Sequence, residues 1–171
     1  CGSGAWVLDC ATEFQKSFFV GVDISPIFPQ SIKPYNATFV QADLLSGLPF
    51  ESNSFDIVHL SNMGTCFTEE EWRDNVIPEV IRLTKPDGWF ESQEFIFKKF
   101  DVGPCQTRIL ASVRSYMSEL GINVDFVEQM KDFLTKNTET LADVQETVVR
   151  RSVGCGSKLG NAYTDFSMPA L

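Results

Sequence analysis

Cys1-Gly2-Ser3-Gly4-Ala5-Trp6 and, nineteen residues beyond Gly4, the acid closing Phe19-Val20-Gly21-Val22-Asp23 decide how this chain reads. A glycine-rich turn lets backbone come close to a ligand. An acid at the end of an apolar strand accepts hydrogen bonds from ribose hydroxyls. Together they are how α/β folds hold the adenosine part of a cofactor. Such a turn needs a strand in front of it. Nothing precedes Cys1 and no initiator Met is present, so the expectation is a chain that starts just after its first strand.

Working outward, residues 6–14 (WVLDCATEF) carry apolar side chains at helical spacing directly behind Gly4. Residues 18–22 form a short β-rich run, and residues 25–36 hold Pro26, Pro29 and Pro34 and must be loop. Residues 38–40 predict a second strand and residues 55–60 (FDIVHL) a buried third. Thr68 followed by Glu69-Glu70-Glu71 is a capped helix start, with acids facing the positive helix end. That helix is expected to reach Leu83 with a kink or break at Pro78, and Lys85-Pro86-Asp87-Gly88 ends it in a turn. Residues 89–97 predict a strand, 106–120 and 125–136 helices around Gly121, and 142–151 a strand on its Val and Thr content. A last helix is expected from Lys158. Cys155-Gly156-Ser157 copies the opening tripeptide but lacks a following strand and acid, so it reads as a turn. With a first strand restored, the order fits a Rossmann-like α/β fold: a doubly wound, mostly parallel sheet with flanking helices, in one domain over residues 1–171 that is truncated at both ends.

Composition excludes several classes. The net charge is −9, with 14 basic residues scattered along the chain, which disfavours nucleic acid and anionic membrane surfaces. Five widely spaced cysteines with no CxxC pair, and one histidine, form no zinc pattern, so no metal is expected. Free thiols and no visible leader suggest a reducing compartment, the cytoplasm or the nucleus. No apolar run nears the roughly 20 residues that span a bilayer.

A dinucleotide fingerprint wants a third glycine at position 7, which is Val7, and no phosphate-binding GxxxxGK[ST] loop occurs. No Tyr/Lys pair or histidine is placed as a proton donor, a further mark against a nicotinamide oxidoreductase. The ordered set Cys1-Gly2-Ser3-Gly4, Val22-Asp23, Ala42-Asp43-Leu44, Leu48-Pro49-Phe50, Ser54-Phe55-Asp56-Ile57-Val58, Glu79, and Arg82-Leu83-Thr84-Lys85-Pro86-Asp87-Gly88 resembles the class I S-adenosylmethionine-dependent methyltransferases. Gly4-Ala5-Trp6 and the proline-rich stretch after Asp23 resemble the fungal branch that includes secondary-metabolism regulators. The resemblance covers residues 1–97. It implies that Gly2 and Gly4 bring backbone against the methionine end of S-adenosyl-L-methionine. It further implies that Asp23 binds the ribose diol, Ile24 packs on adenine, Asp43 and Leu44 meet the adenine amino group and ring, and Ser61 contacts the methionyl part. The acid expected two residues before the first glycine lies off this chain, and Asp87 stands where a second turn glycine is usual.

The resemblance implies methyl transfer to an O, N or C nucleophile on a small molecule or a protein. The alternative is a methyltransferase-like regulatory protein that binds without turnover. His59 lies inside its strand and reads as sheet packing rather than as a base. Trp6 reads equally as sheet packing or ligand contact. Met63, Cys66 and Trp72 suit a substrate mouth but more often fill cores. A missing central strand predicts a chain of low stability with weak cofactor binding.

Overall fold

A computed structural model describes residues 1–96, 103–137 and 140–149. Helix α1 (Ala5–Glu13) starts at Gly4, whose φ of 78° is left-handed, and buries Val7 and Ala11, one turn apart. They pack with Ala37, Phe19 and Phe39 against strands β1 (Phe19–Asp23) and β2 (Ala37–Gln41), which pair in parallel with Asp23 opposite Gln41. Asn36, 2% exposed, ties this unit: its side-chain amide donates to the carbonyls of Ala11, Phe14 and Ser17. The proline-rich loop folds back so that Phe28 stacks on Phe39 at 5.1 Å.

A single 3-10 turn (Leu44–Ser46) leads on to β3 (Phe55–Ser61). The predicted capped helix is built in three pieces: α2 (Glu69–Glu71), a π-helical stretch (Trp72–Val76) and α3 (Ile77–Leu83). Thr68 and Glu71 form the reciprocal capping box. The irregularity expected at Pro78 is present as the π turn just ahead of it, where Ile77 N–H reaches Trp72 O. The widened turn lets adjacent Val76 and Ile77 both point inward. With Trp72, Val80, Phe67, Phe126, Met130 and Leu134 they make the larger core.

Strand β4 (Thr84–Gln93) runs parallel to β3. The Lys85–Gly88 turn is a bulge inside that strand, because the register jumps from Phe55 opposite Thr84 to Ile57 opposite Trp89. Asp87 takes φ 62°, and a Cβ on Gly88 would meet Asp56 O and Lys85 O at 2.9 Å. Helix α4 (Pro104–Glu119) and the helical stretch of a 3-10 turn (Phe126–Gln129) and α5 (Met130–Asn137) follow as expected.

One expectation is corrected. The strand expected over 142–151 is absent from its described part, 142–149, where Val148 and Val149 are exposed with no neighbouring strand to receive them. The parallel α/β expectation is borne out, and among the described residues the strands form two two-stranded parallel sheets, β1–β2 and β3–β4, in line with an absent central strand. Each of the four strands keeps one unpaired edge, and β1 and β3 are the two between which the sequence predicts a further strand. The end of the 89–97 strand, the 155–157 turn and the helix from Lys158 lie outside the described residues.

Candidate functional site

The opening loop and the end of β1 are brought together directly. Gly2 N–H and the terminal nitrogen of Cys1 each donate to Asp23 Oδ2 at 2.8 Å, and Ser25 N–H donates to Oδ1 at 2.9 Å. The same Cys1 nitrogen donates to Val22 O at 3.0 Å, which seats the loop on the strand end. Desolvation acts to raise the Asp23 carboxyl, but the bond from the terminal ammonium and those from Ser25 and Gly2 outweigh it and hold it at about 2. Gly2 has φ 55° and open space where a side chain would stand. Gly4 is different: a Cβ there would lie 2.5 Å from Phe39 Cε1, so close packing as well as φ requires glycine.

Ile24, next along, is 64% exposed, and Gln41 Nε2 holds its carbonyl at 3.0 Å. Asp43 follows β2 and caps the 3-10 turn, accepting from Leu45 N–H at 3.0 Å and from Ser46 Oγ at 3.4 Å. Leu44 packs partly against the larger core. Ser61 closes β3 at an exposed position, its Oγ accepting from Asn62 Nδ2 at 3.1 Å.

These residues fit a nucleoside. An ionised acid and an exposed apolar side chain stand side by side at a strand end, beside a glycine with open space. A carboxylate offers about four acceptor positions, and three on Asp23 are taken, so a diol with two donors displaces one present donor.

Other candidates separate cleanly. His59 Nδ1 meets Glu91 Oε2 at 2.9 Å, and its ring stacks on Trp6 at 4.2 Å, which makes both rings packing partners. Trp72 is a core residue and Met63 packs against that core. Cys66 is exposed; partial desolvation and the charges of Glu94 and Asp23 push its thiol up. Cys1, Cys10 and Cys105 are free thiols as well.

Two groups escaped the sequence reading. Glu79 Oε1 accepts from Leu48 N–H at 2.6 Å, and Arg82 donates to Leu48 O and Phe50 O at 3.2 and 2.7 Å, while the two side chains pair at 2.7 Å. The motif pieces Leu48-Pro49-Phe50 and Glu79…Arg82 are thus one contact. Glu94, just past β4, accepts from the backbone of Met63 and Gly64, a role no local pattern announces. Among the described residues no His, Cys, Asp and Glu cluster suits a metal, and no helix is long and apolar enough to cross a membrane.

Fold and site define an α/β protein whose opening glycine-rich loop is bonded to the acid closing its first parallel strand. The chain belongs to the methyltransferase domain family, which matches residues 1–88. It is 28% identical over 148 residues to the secondary metabolism regulator laeA of Aspergillus flavus, covering 85% of this chain and 38% of that protein. It is 36% identical over 88 residues to methyltransferase str3 of Strobilurus tenacellus, covering 52% and 30%. Against the protein-methionine methyltransferase laeA of Emericella nidulans the identity is 28% over 149 residues, covering 85% and 37%. The chain therefore spans 30% to 38% of the length of these relatives. The similarity places it with the class I, fungal secondary-metabolism type.

Proposed function

We propose that the protein carrying this chain is an S-adenosyl-L-methionine-dependent methyltransferase acting on a small molecule or a protein. The observation that carries it is the Gly2–Asp23 junction, a glycine-loop amide bonded at 2.8 Å to an acid at the end of a parallel strand. In this reading Gly2 and Gly4 present backbone to the cofactor's methionine end, Asp23 takes the ribose diol and Ile24 covers adenine. Asp43 and Leu44 border the base, and Ser61 lies at the methionyl part. When bound, S-adenosyl-L-methionine supplies an electrophilic methyl on a positively charged sulfur, which departs with the carbon–sulfur electron pair as the acceptor's lone pair bonds to the methyl. The chain's task is to align the acceptor in line and keep water out. A base is required only for an acceptor protonated at working pH.

A strand ahead of Cys1, running parallel to β1 and β3 and joining their open edges, belongs to this proposal. Without it the 171-residue chain binds the cofactor more weakly than micromolar. Calorimetry tests both statements. Asp23→Ala abolishes measurable S-adenosyl-L-methionine binding in the full-length protein; affinity near that of the unmodified protein would sink the assignment. The word "regulator" in the Aspergillus relative's name favours a second reading, cofactor binding without turnover. Labelled methyl recovered on an acceptor after incubation with labelled cofactor rules that reading out.

A further inference from the structure

Where β3 and β4 end, the loop after β3 is clamped by one side chain. Asn62 N–H still donates to Gln93 O at 2.9 Å, and the chain then turns at Asn62, φ 55°. Across this turn lies the Glu94 carboxylate. Its Oε1 accepts from Met63 N–H and Ser92 Oγ, both at 3.1 Å, and its Oε2 from Gly64 N–H at 2.8 Å. Gly64 is wedged: a Cβ there would lie 2.3 Å from Val127 Cγ2 and 3.2 Å from Glu94 Oε2. Beside the clamp is a cavity of about 190 Å³ lined by Asn62, Gly64, Thr65, Glu94 and Phe95. It lies at the carboxyl ends of parallel strands, where open α/β sheets take their ligands.

We propose that this cavity receives the methyl acceptor, and that Glu94 selects an acceptor group bearing hydrogen-bond donors and no negative charge, an amine or hydroxyl rather than a carboxylate. The acceptor assignment rests on the methyltransferase reading; the charge preference does not. Of the carboxylate's roughly four acceptor positions three are occupied, so Oε2 keeps one for a donor from the ligand. Asn62 and Thr65 add a neutral amide and a hydroxyl, and Phe95 an apolar wall. Among the described residues no cation lines the cavity to meet an anion.

The test uses tyramine and 4-hydroxyphenylacetate, which carry the same phenol ring with opposite charges, titrated into the 171-residue chain by NMR. Tyramine is expected to shift the amides of Asn62, Gly64 and Thr65 and to bind at least about fivefold more tightly, as a partly solvated charge contact allows. Glu94→Gln is expected to erase that preference. If Glu94→Gln loses its dispersed spectrum, Thr65→Lys serves instead and reverses the preference. Equal affinities in the unmodified chain, a preference that survives in the variants, or no shift of those amides with either probe at millimolar concentration overturns the proposal. A separate calorimetric titration of the full-length protein with S-adenosyl-L-methionine keeps the two readings apart. Failure there with the tyramine preference intact overturns only the methyltransferase assignment.

Discussion

Asp23 carries three hydrogen bonds on two oxygens, and the charged donor among them is the terminal nitrogen of Cys1. Because the folded pKa of its carboxyl lies below the model-peptide one, Asp23 stabilises the fold above about pH 4. That contribution fades as pH falls through about 2. Asn36 acts without charge. Replacing it by alanine removes the buried amide donor that the Ala11, Phe14 and Ser17 carbonyls share and is expected to cost roughly 1–3 kcal/mol in urea unfolding. Asp23 was legible as the acid closing β1, because a short apolar run followed by an acid is a local pattern. Asn36 was not, since its partners lie 19 to 25 residues back and meet only on folding.

Among the elements, α2 and its cap were readable residue by residue because a capping box spans four consecutive positions. Thr68→Ala is expected to lower stability by about 1 kcal/mol, whereas loss below a few tenths in urea would mean that the start is held by packing alone. The Lys85–Gly88 turn was legible as a turn but not as a bulge, because its neighbour is β3, far earlier in the chain. Backbone oxygens crowd Gly88 at 2.9 Å, so Gly88→Ala is expected to disrupt the β3–β4 pair, read as lost amide protection along β3. Residues 142–149 fail for the opposite reason. Their β-branched side chains favour a strand only where a neighbouring strand receives them, and none is present there.

At the scale of the molecule, α1, β1 and β2 share one small core, while β3, the π-helical stretch, α3, β4 and the helical stretch from Phe126 share a larger one. The Trp6–His59 stack bridges them. Units joined so lightly open separately. Val80→Ala, at a buried position in the larger core, is expected to cost roughly 2 kcal/mol and to lower hydrogen-exchange protection in β3 and β4 but not in β1 and β2. Equal loss in both would show one cooperative body. The sequence by itself determined the parallel α/β class, the glycine loop, the acid at the end of β1 and the capped helix. Each is encoded within a short window, through turn chemistry, side-chain periodicity or strand-end placement. Only the tertiary structure decided that Asp43 caps a turn, that Glu79 and Arg82 clasp Leu48 and Phe50, and that Glu94 clamps the loop after β3. Those outcomes depend on which distant backbone groups are left unpaired once the helices and strands have packed.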